Sequence, residues 1–570
     1  MSILKELTSL VADCFVKCGY SEDLGVVTVS DRPELCQFQC NGAFKGAKLF
    51  RKAPVMIANE VAAVLSENEI ISKAEAVAPG FLNITVTDEY LLSKCNEIFA
   101  DENLGVPQVE SDTIVIDYGG PNIAKPLHIG HLRSAIIGQA LKQLCQAMGI
   151  KAVGDVHLGD WGLQMGLVIA ELYERYENPA EIEITAEMLN EIYPFASKKS
   201  KEDEQFRAKA KANTAKLQSG DEEYISIWKK LVAASCVDMK KNYERLGVDF
   251  EYWYGESDAE KYVPQLLDIL NDKQLLRESE GAMVVDVQKE DDKFELPPVI
   301  IKKSDNSNIY ATTDLATIIQ RNQDFSPSQI WYVVDGRQSM HFTQVFRCAY
   351  KAGIVDESCN LEHLGFGTMN GSDNKPYKTR DGGVMRLSDL LDEAVATALE
   401  NLSKGNFESE EERIETANKL AVASIKFGDL INHRSKDYIF DIAKFLTAEG
   451  KTGAYLLYMV TRIKSLLRKS TDSIENKIDG IYDDCARELL LAISLSGESF
   501  VTALNEKAPN FICENAYRLA VLFSRFYTNN HIISEADENK RKALLSLCVL
   551  TKLVIEKHLA VLGIETVDKM

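Results

Sequence analysis

The stretch TIVIDYGG (113–120), continued by PNIAKPLHIGHLRSA (121–135) and later by KAVGDVHLG (151–159), limits the fold more than any other part of this chain. An unbroken apolar run ending in glycines reads as a strand buried on both faces, the mark of a parallel sheet. Ile136, Ile137, Ala140, Leu141 and Leu144 recur at helical spacing and predict a helix over 130–148. A second apolar run at 151–159 completes strand, helix, strand, a unit whose crossover is right-handed. Strand signals resume at AMVVDV (282–287), PPVIIKK (297–303) and QIWYVVD (329–335), with a helix over 313–323 between the last two. Residues 111–385 therefore read as a doubly wound, parallel-sheet α/β domain interrupted by a charged helical insertion over 164–250.

At 570 residues the chain exceeds one compact core, so flanking domains are expected. Residues 1–110 mix helical patterns with short apolar stretches such as GFLNITV (80–86). They read as an N-terminal α+β domain that ends in the polar, Gly- and Pro-containing ADENLGVPQVESD (100–112). Residues 386–570 show no strand signal. Leu and Ala recur at three and four through 388–402, 410–431, 452–469, 481–503, 512–529 and 538–561, as an all-α bundle requires.

The net charge of −22 excludes a protein that coats nucleic acid indiscriminately, yet leaves room for a local basic face, such as 198–216 or 461–469. No apolar run reaches the ~18 residues of a membrane span. MSILKELTSLVADCFVK reads as an amphipathic helix and not as a secretion signal, so a cytoplasmic location is expected. The Cys14/Cys18 and Cys36/Cys40 pairs have the wrong spacing for a zinc knuckle. Packing is their expected role, and no structural metal is expected.

His128 and His131, with Gly130 between them and Lys125 just upstream, fall where the first strand gives way to its helix. Backbone N–H groups at a helix start, reinforced by the dipole, form a phosphate site, and Gly130 lets a nucleotide lie against the backbone. Two imidazole N–H donors beside that site would tighten as charge develops in a transition state. No GxxxxGK[ST] pattern appears, so adenylyl transfer is favoured over P-loop chemistry.

HIGH at 128–131 is the ATP-binding motif of class I aminoacyl-tRNA synthetases, and PNIAKPLHIGHLRS resembles its form in arginyl-tRNA synthetases. GDWGLQMG (159–166), NIYATTDLA (308–316), WYVVDGRQSMHFTQVF (331–346), GSDNKPYKTRDGG (371–383), EGKTGAYLLYMVTRI (449–463) and the ending LGIETVDKM resemble later segments of that family, in the same order. Departures are Gly119-Gly120 before PN, TTD at 312–314, and a KMSKS loop reduced to KPYKT (375–379). The resemblance implies a Rossmann-like catalytic domain, a 1–110 domain touching the tRNA elbow, and a 386–570 anticodon-binding domain. It implies an arginine–tRNA ligase that uses ATP with Mg²⁺ to form arginyl-adenylate and passes arginyl to tRNA(Arg). The chain is expected to act as a monomer.

The resemblance also implies roles. His128, His131 and Gly130 would hold ATP, with Lys375 and Lys378 from the degenerate loop, Lys378 facing the leaving pyrophosphate. Lys125 would add charge beside the histidines. Glu256 and Asp314 would meet the guanidinium, Tyr310 would stand beside Asp314, and Asn122 and Gln338 would take the amino-acid end. A cation that stays protonated needs such acids, because burying it unpaired costs several kcal/mol. Two carboxylates suit the planar fork better than an ammonium, and neutral citrulline would leave them unpaired. Tyr455, Tyr458, Tyr527 and Met570 would neighbour the anticodon, Phe38 and Asn41 the elbow, and Arg462 and Arg468 the phosphates. Two rivals remain: a nucleotidyltransferase acting on a small molecule without tRNA, and a synthetase-like RNA-binding protein without catalysis. The flanking domains argue against the first, the intact site residues against the second.

Overall fold

The computed structural model describes residues 2–303, 310–375, 377, 385–403 and 407–570. At its centre four parallel strands lie in the order Asn360–His363, Gln329–Tyr332, Ile114–Asp117, Ala152–Asp155. Ile114 stands opposite both Gln329 and Ala152, and every residue of Ile114–Asp117 and Ala152–Asp155 is buried. From its first strand the chain crosses to Ala152–Asp155 on one side and later returns to Gln329–Tyr332 on the other. That reversal opens a crevice beyond the carboxyl ends of the strands, the usual place for a ligand in such sheets.

Buried charge holds the edges of this crevice. Arg321 of the helix Tyr310–Phe325 is fully buried, and its guanidinium donates to Asp155 at 2.6 and 2.9 Å and to Asp117 at 2.8 Å. Both acids end strands, so one side chain fastens that helix to the rim of the sheet. Arg133 of the helix Ile129–Ala147 does the same elsewhere: it donates to Asp429 at 2.9 Å and to the carbonyls of Gly367 and Lys436. Breaking either pair would strand a charge in the interior, at about 3–5 kcal/mol.

The helical insertion comprises Leu163–Arg175, Ala186–Glu202, Glu204–Gln218 and Glu222–Arg245. The helices of the C-terminal bundle are Gly453–Lys469, Asp484–Ser494, Ser496–Glu506, Asn510–Asn529 and Glu538–Val561, preceded by Leu387–Asn401 and Glu410–Leu430. The expected 481–503 helix is thus broken, at Leu495. The N-terminal domain is an antiparallel sheet, ordered Val27–Val29, Phe38–Cys40, Phe81–Val86, Ile71–Val77, packed against helices Ile3–Lys17 and Pro54–Leu65.

The strand reading needs correction in three places. AMVVDV and PPVIIKK do not join the parallel sheet: with Leu276–Ser279 they form a separate antiparallel one. Val299 and Ile301 are buried while Ile300 between them is exposed, and such half-covered strands belong to antiparallel sheets. Asn360–His363 carries no apolar run, so periodicity misses it; as an edge strand it buries only Leu361. Finally, Tyr438–Ile439, inside the expected all-helical region, pairs with Met369–Asn370.

Phe38 was expected at the tRNA elbow, and its side chain is instead fully buried in the N-terminal core. A ring at the centre of that core cannot reach RNA while the domain is folded. Asn41, by contrast, is exposed at the start of the helix Gly42–Phe50, and its side chain makes no capping bond. Cys14 and Cys40 pack in the same core; burial pushes the Cys40 thiol up to about 11, and it donates to the carbonyl of Leu24.

Candidate active site

His128 is the N-cap of the helix Ile129–Ala147, and His131 stands in its first turn. The two rings overlap, with centroids 3.9 Å apart and planes 31° from parallel. His128 Nδ1 accepts from the N–H of Gly130 and His131 Nδ1 from the N–H of His128, each at 3.1 Å. A ring nitrogen that accepts carries no proton, so in each neutral imidazole the proton sits on Nε2. Burial, with Lys125 adding to it, holds His128 below the ordinary imidazole range. Burial and then His128 push His131 down to about 3. At neutral pH the pair is therefore two uncharged Nε2–H donors with their opposite edges pinned by backbone.

This differs from the helix-terminus phosphate site expected from sequence. The N–H of Ile129 donates to Met385 O, that of Gly130 to the His128 ring, and that of His131 to His128 O. The helix start is already satisfied, so the imidazoles rather than free amides are the donors available to a phosphate. Gly130 has a second reason to be glycine: a Cβ there would meet the His128 ring at 2.9 Å. Lys125 lies close enough to lower both histidines, and its ammonium sits over the Tyr193 ring, 5.1 Å from the centroid.

Past the second strand, the chain at Leu158–Gly159 is flanked by two others. Asn122 bridges to Gly159, and Leu158 to Gly255, placing Glu256 at the start of a short helix with its N–H on Leu158 O at 3.0 Å. Glu256 is only 7% exposed. Burial drives its carboxyl up to about 7; Asp160 and Asp314 push the same way, while His157 and the Trp161 N–H oppose them. No Lys or Arg is among the leading causes of that shift. Asp160, also buried, accepts from the N–H and hydroxyl of Ser257 at 3.0 and 2.6 Å. Tyr310, largely exposed, feels the charges of both Glu256 and Asp314. Acids thus converge here; among the described residues His157 is the basic side chain whose charge Glu256 feels, and no Lys or Arg forms an ion pair with it.

Asp314 lies on the helix Tyr310–Phe325 and meets His341 Nε2 at 2.5 Å. Gln338 is exposed at the N-cap of the helix Ser339–Ala352, three residues before that histidine. Asn122 bridges to Gly159 beside the bridge between Leu158 and Gly255, and Glu256, Tyr310 and Asp314 lie within electrostatic range of one another, while Gln338 stands on a separate segment that follows the strand Gln329–Tyr332. Lys375 is exposed in the 371–375 turn, and Lys378 lies outside the described residues. Sequence reading missed His341, Arg321 and Asp160. His341 stands within the quoted WYVVDGRQSMHFTQVF, whereas nothing local marks Arg321.

In the C-terminal bundle Tyr458 is 40% exposed, Tyr455 packs beside Tyr517, and the Arg462 guanidinium lies over the Tyr527 ring, 4.0 Å from its centroid. Lys464 and Arg468 hold the tail before Met570, through Asp568 at 2.8 and 3.2 Å. Met570 packs against the bundle core. In the basic 198–216 run, Lys199 and Lys209 pair with Glu174 of the helix Leu163–Arg175. No helix among the described residues is long and apolar enough to cross a membrane.

A parallel sheet with a histidine pair at the carboxyl end of its first strand, an inserted helical unit and a helical domain behind it define a class I aminoacyl-tRNA synthetase. Residues 94–442 match the model of tRNA synthetases class I (R), catalytic domain; residues 456–570 match the DALR anticodon binding domain; residues 2–86 match the arginyl tRNA synthetase N terminal domain. The chain is 46% identical to an arginine–tRNA ligase of Alkaliphilus oremlandii and 45% to one of Agathobacter rectalis, over 100% of both chains in each case. The arginyl-tRNA synthetase of Plasmodium falciparum superposes with a TM-score of 0.85 at 27% identity, covering 100% of this chain and 99% of that one. That of Thermus thermophilus superposes with a TM-score of 0.82 at 20% identity, over 100% of each. This chain belongs to the arginyl-tRNA synthetase family.

Proposed function

We propose that this chain is an arginine–tRNA ligase working in the cytoplasm as a monomer. It activates L-arginine with ATP and transfers arginyl to the 3′-terminal adenosine of tRNA(Arg). The observations that carry this reading are the buried Glu256 carboxyl, within the field of Asp314 and with no Lys or Arg paired to it among the described residues, and the pair of neutral imidazole donors at the start of the helix Ile129–Ala147. A guanidinium completes the first feature and a nucleotide phosphate the second.

The arginine carboxylate attacks the α-phosphorus of ATP in line, the bond to the β-phosphate oxygen breaks, and pyrophosphate leaves. Nε2–H of His128 and of His131 donates to the phosphate oxygens as their charge grows, without a proton transfer. Glu256 and Asp314 hold the guanidinium, Tyr310 covers it, and Asn122 and Gln338 orient the amino-acid end. Lys125 adds positive charge near the phosphates; Lys375 and Lys378 attend the pyrophosphate. Mg²⁺ arrives with ATP, on the phosphates and not in an all-protein cage. The terminal ribose 2′-OH then attacks the adenylate carbonyl and AMP departs. Tyr455, Tyr458 and Tyr527 offer rings on which unstacked anticodon bases can lie, with Met570 close by and Asn41 at the elbow.

Charging of tRNA with labelled arginine and ATP tests the whole reading. Arginyl-tRNA is expected, and no charging would refute it. Pyrophosphate exchange is expected only with tRNA present; equal exchange without tRNA would remove that part.

A further inference from the structure

Asp314 has one hydrogen-bonding partner among the described residues, the Nε2 of His341, set against Oδ2. The two side chains come from different helices, Tyr310–Phe325 and Ser339–Ala352, and both are partly buried, with 21% and 30% of their side chains exposed. His341 is the third residue of its helix, so the loop that delivers Gln338 to the crevice delivers His341 as well. The contact raises the affinity of His341 for its proton, the hydrogen bond to Asp314 outweighing burial.

The residue type matters at this contact. A lysine or arginine in its place would bring several N–H donors at every pH and could occupy both oxygens of Asp314, competing with an incoming guanidinium. An apolar residue would leave the carboxylate free to rotate, so each approaching arginine would have to order it anew. Imidazole presents one N–H along one line, occupies a single carboxylate oxygen, and can share the acid with a second donor.

We infer that His341 is a positioning residue for arginine selection: by holding Oδ2 of Asp314 it turns the other oxygen of that carboxylate to the guanidinium. This rests on the reading of Asp314 as a guanidinium ligand. Because arginine keeps the contact in the ground state and in the transition state alike, losing it should raise KM and spare kcat.

The test compares His341→Leu and His341→Gln, similar in size, of which only glutamine can donate to Oδ2. In arginine activation with tRNA present, His341→Leu is expected to raise the arginine KM about 10- to 100-fold, as loss of a hydrogen bond to a charged group does. The ATP KM and kcat should stay within about threefold of the parent, since arginine keeps the contact in ground and transition states alike. His341→Gln should recover most of the arginine KM. An unchanged arginine KM in His341→Leu, or equal losses in Leu and Gln variants, would overturn the inference, as would a fall in kcat with a parallel rise in the ATP KM. Melting midpoints show whether the variants fold; if Leu does not, His341→Asn, too short to reach, replaces it with the same expectation. Asp314→Asn runs alongside. If it too leaves the arginine KM unchanged, the reading of Asp314 fails; if it alone raises that KM, only the role of His341 falls.

Discussion

On the proposed role of Glu256 as a guanidinium ligand, arginine binding should depend on pH in a direction that can be worked out. Its carboxyl titrates near 7 in the folded enzyme instead of at its ordinary 4.5, because burial disfavours the charge and Asp160 and Asp314 repel it. Ionising it inside the fold therefore costs about 3 kcal/mol, at ~1.4 kcal/mol for each pKa unit. For a pKa raised by folding, the stabilising contribution is present below 4.5 and lost as pH rises through 7. With Glu256 as the proposed guanidinium ligand, arginine would reverse the balance by supplying a permanent cation and binding the ionised form. About one molecule in eleven is ionised at pH 6 and about ten in eleven at pH 8, so the arginine Kd should fall about tenfold between them. Binding should release close to one proton per arginine at pH 6 and almost none at pH 8. Titration calorimetry of arginine into the enzyme, in two buffers of different ionisation enthalpy, reads both quantities. Glu256→Gln should weaken binding by about 3 kcal/mol or more, the cost of unpairing a buried ion, and flatten the pH profile. A flat profile in the parent enzyme would refute the reasoning. A tenfold slope surviving in Glu256→Gln would place the titrating group elsewhere.

Without arginine the same substitution should stabilise the fold at pH 8 by about 2–3 kcal/mol and leave it unchanged at pH 4, as melting midpoints would show. Gly130→Ala pushes a methyl into the His128 ring at 2.9 Å and should lower kcat for activation at least about tenfold with little change in the arginine KM. Arg133→Met leaves Asp429 buried and unpaired; chemical denaturation should report a loss of about 3–5 kcal/mol. Phe38→Ala should destabilise the N-terminal domain by about 3–5 kcal/mol while the kinetics of arginine activation hold, the reverse of what a tRNA contact would show.

The histidine site was legible because its parts lie within a few consecutive residues at one strand–helix junction. What could not be read there was how the junction closes. The amides expected to bind phosphate are occupied by Met385 O, the His128 ring and His128 O, and the first of these partners lies more than two hundred residues away. The acid pocket was legible only through the family resemblance. Glu256 and Asp314 look like any other carboxylates until folding buries one and brings the other near, and His341 acquires a role only from the 2.5 Å contact across two helices. Phe38 shows the opposite failure: the family resemblance implied an elbow contact, and only its place in the sheet reveals a core residue.

Period and adjacency decide what a single chain segment can do, and both are properties of sequence. They were enough for three of the four parallel strands, the helices of the insertion and of the bundle, and the histidine motif, yet they placed AMVVDV and PPVIIKK in the wrong sheet. Which strands share a sheet, which amides are spent, and which acids face a cavity depend on contacts between distant segments. The separate antiparallel sheet at 276–302, the Arg321 clamp on Asp117 and Asp155, and the upward shift of Glu256 all arise from that assembly. Burial sets the strength of a charge, and burial belongs to no residue until the rest of the chain has packed around it.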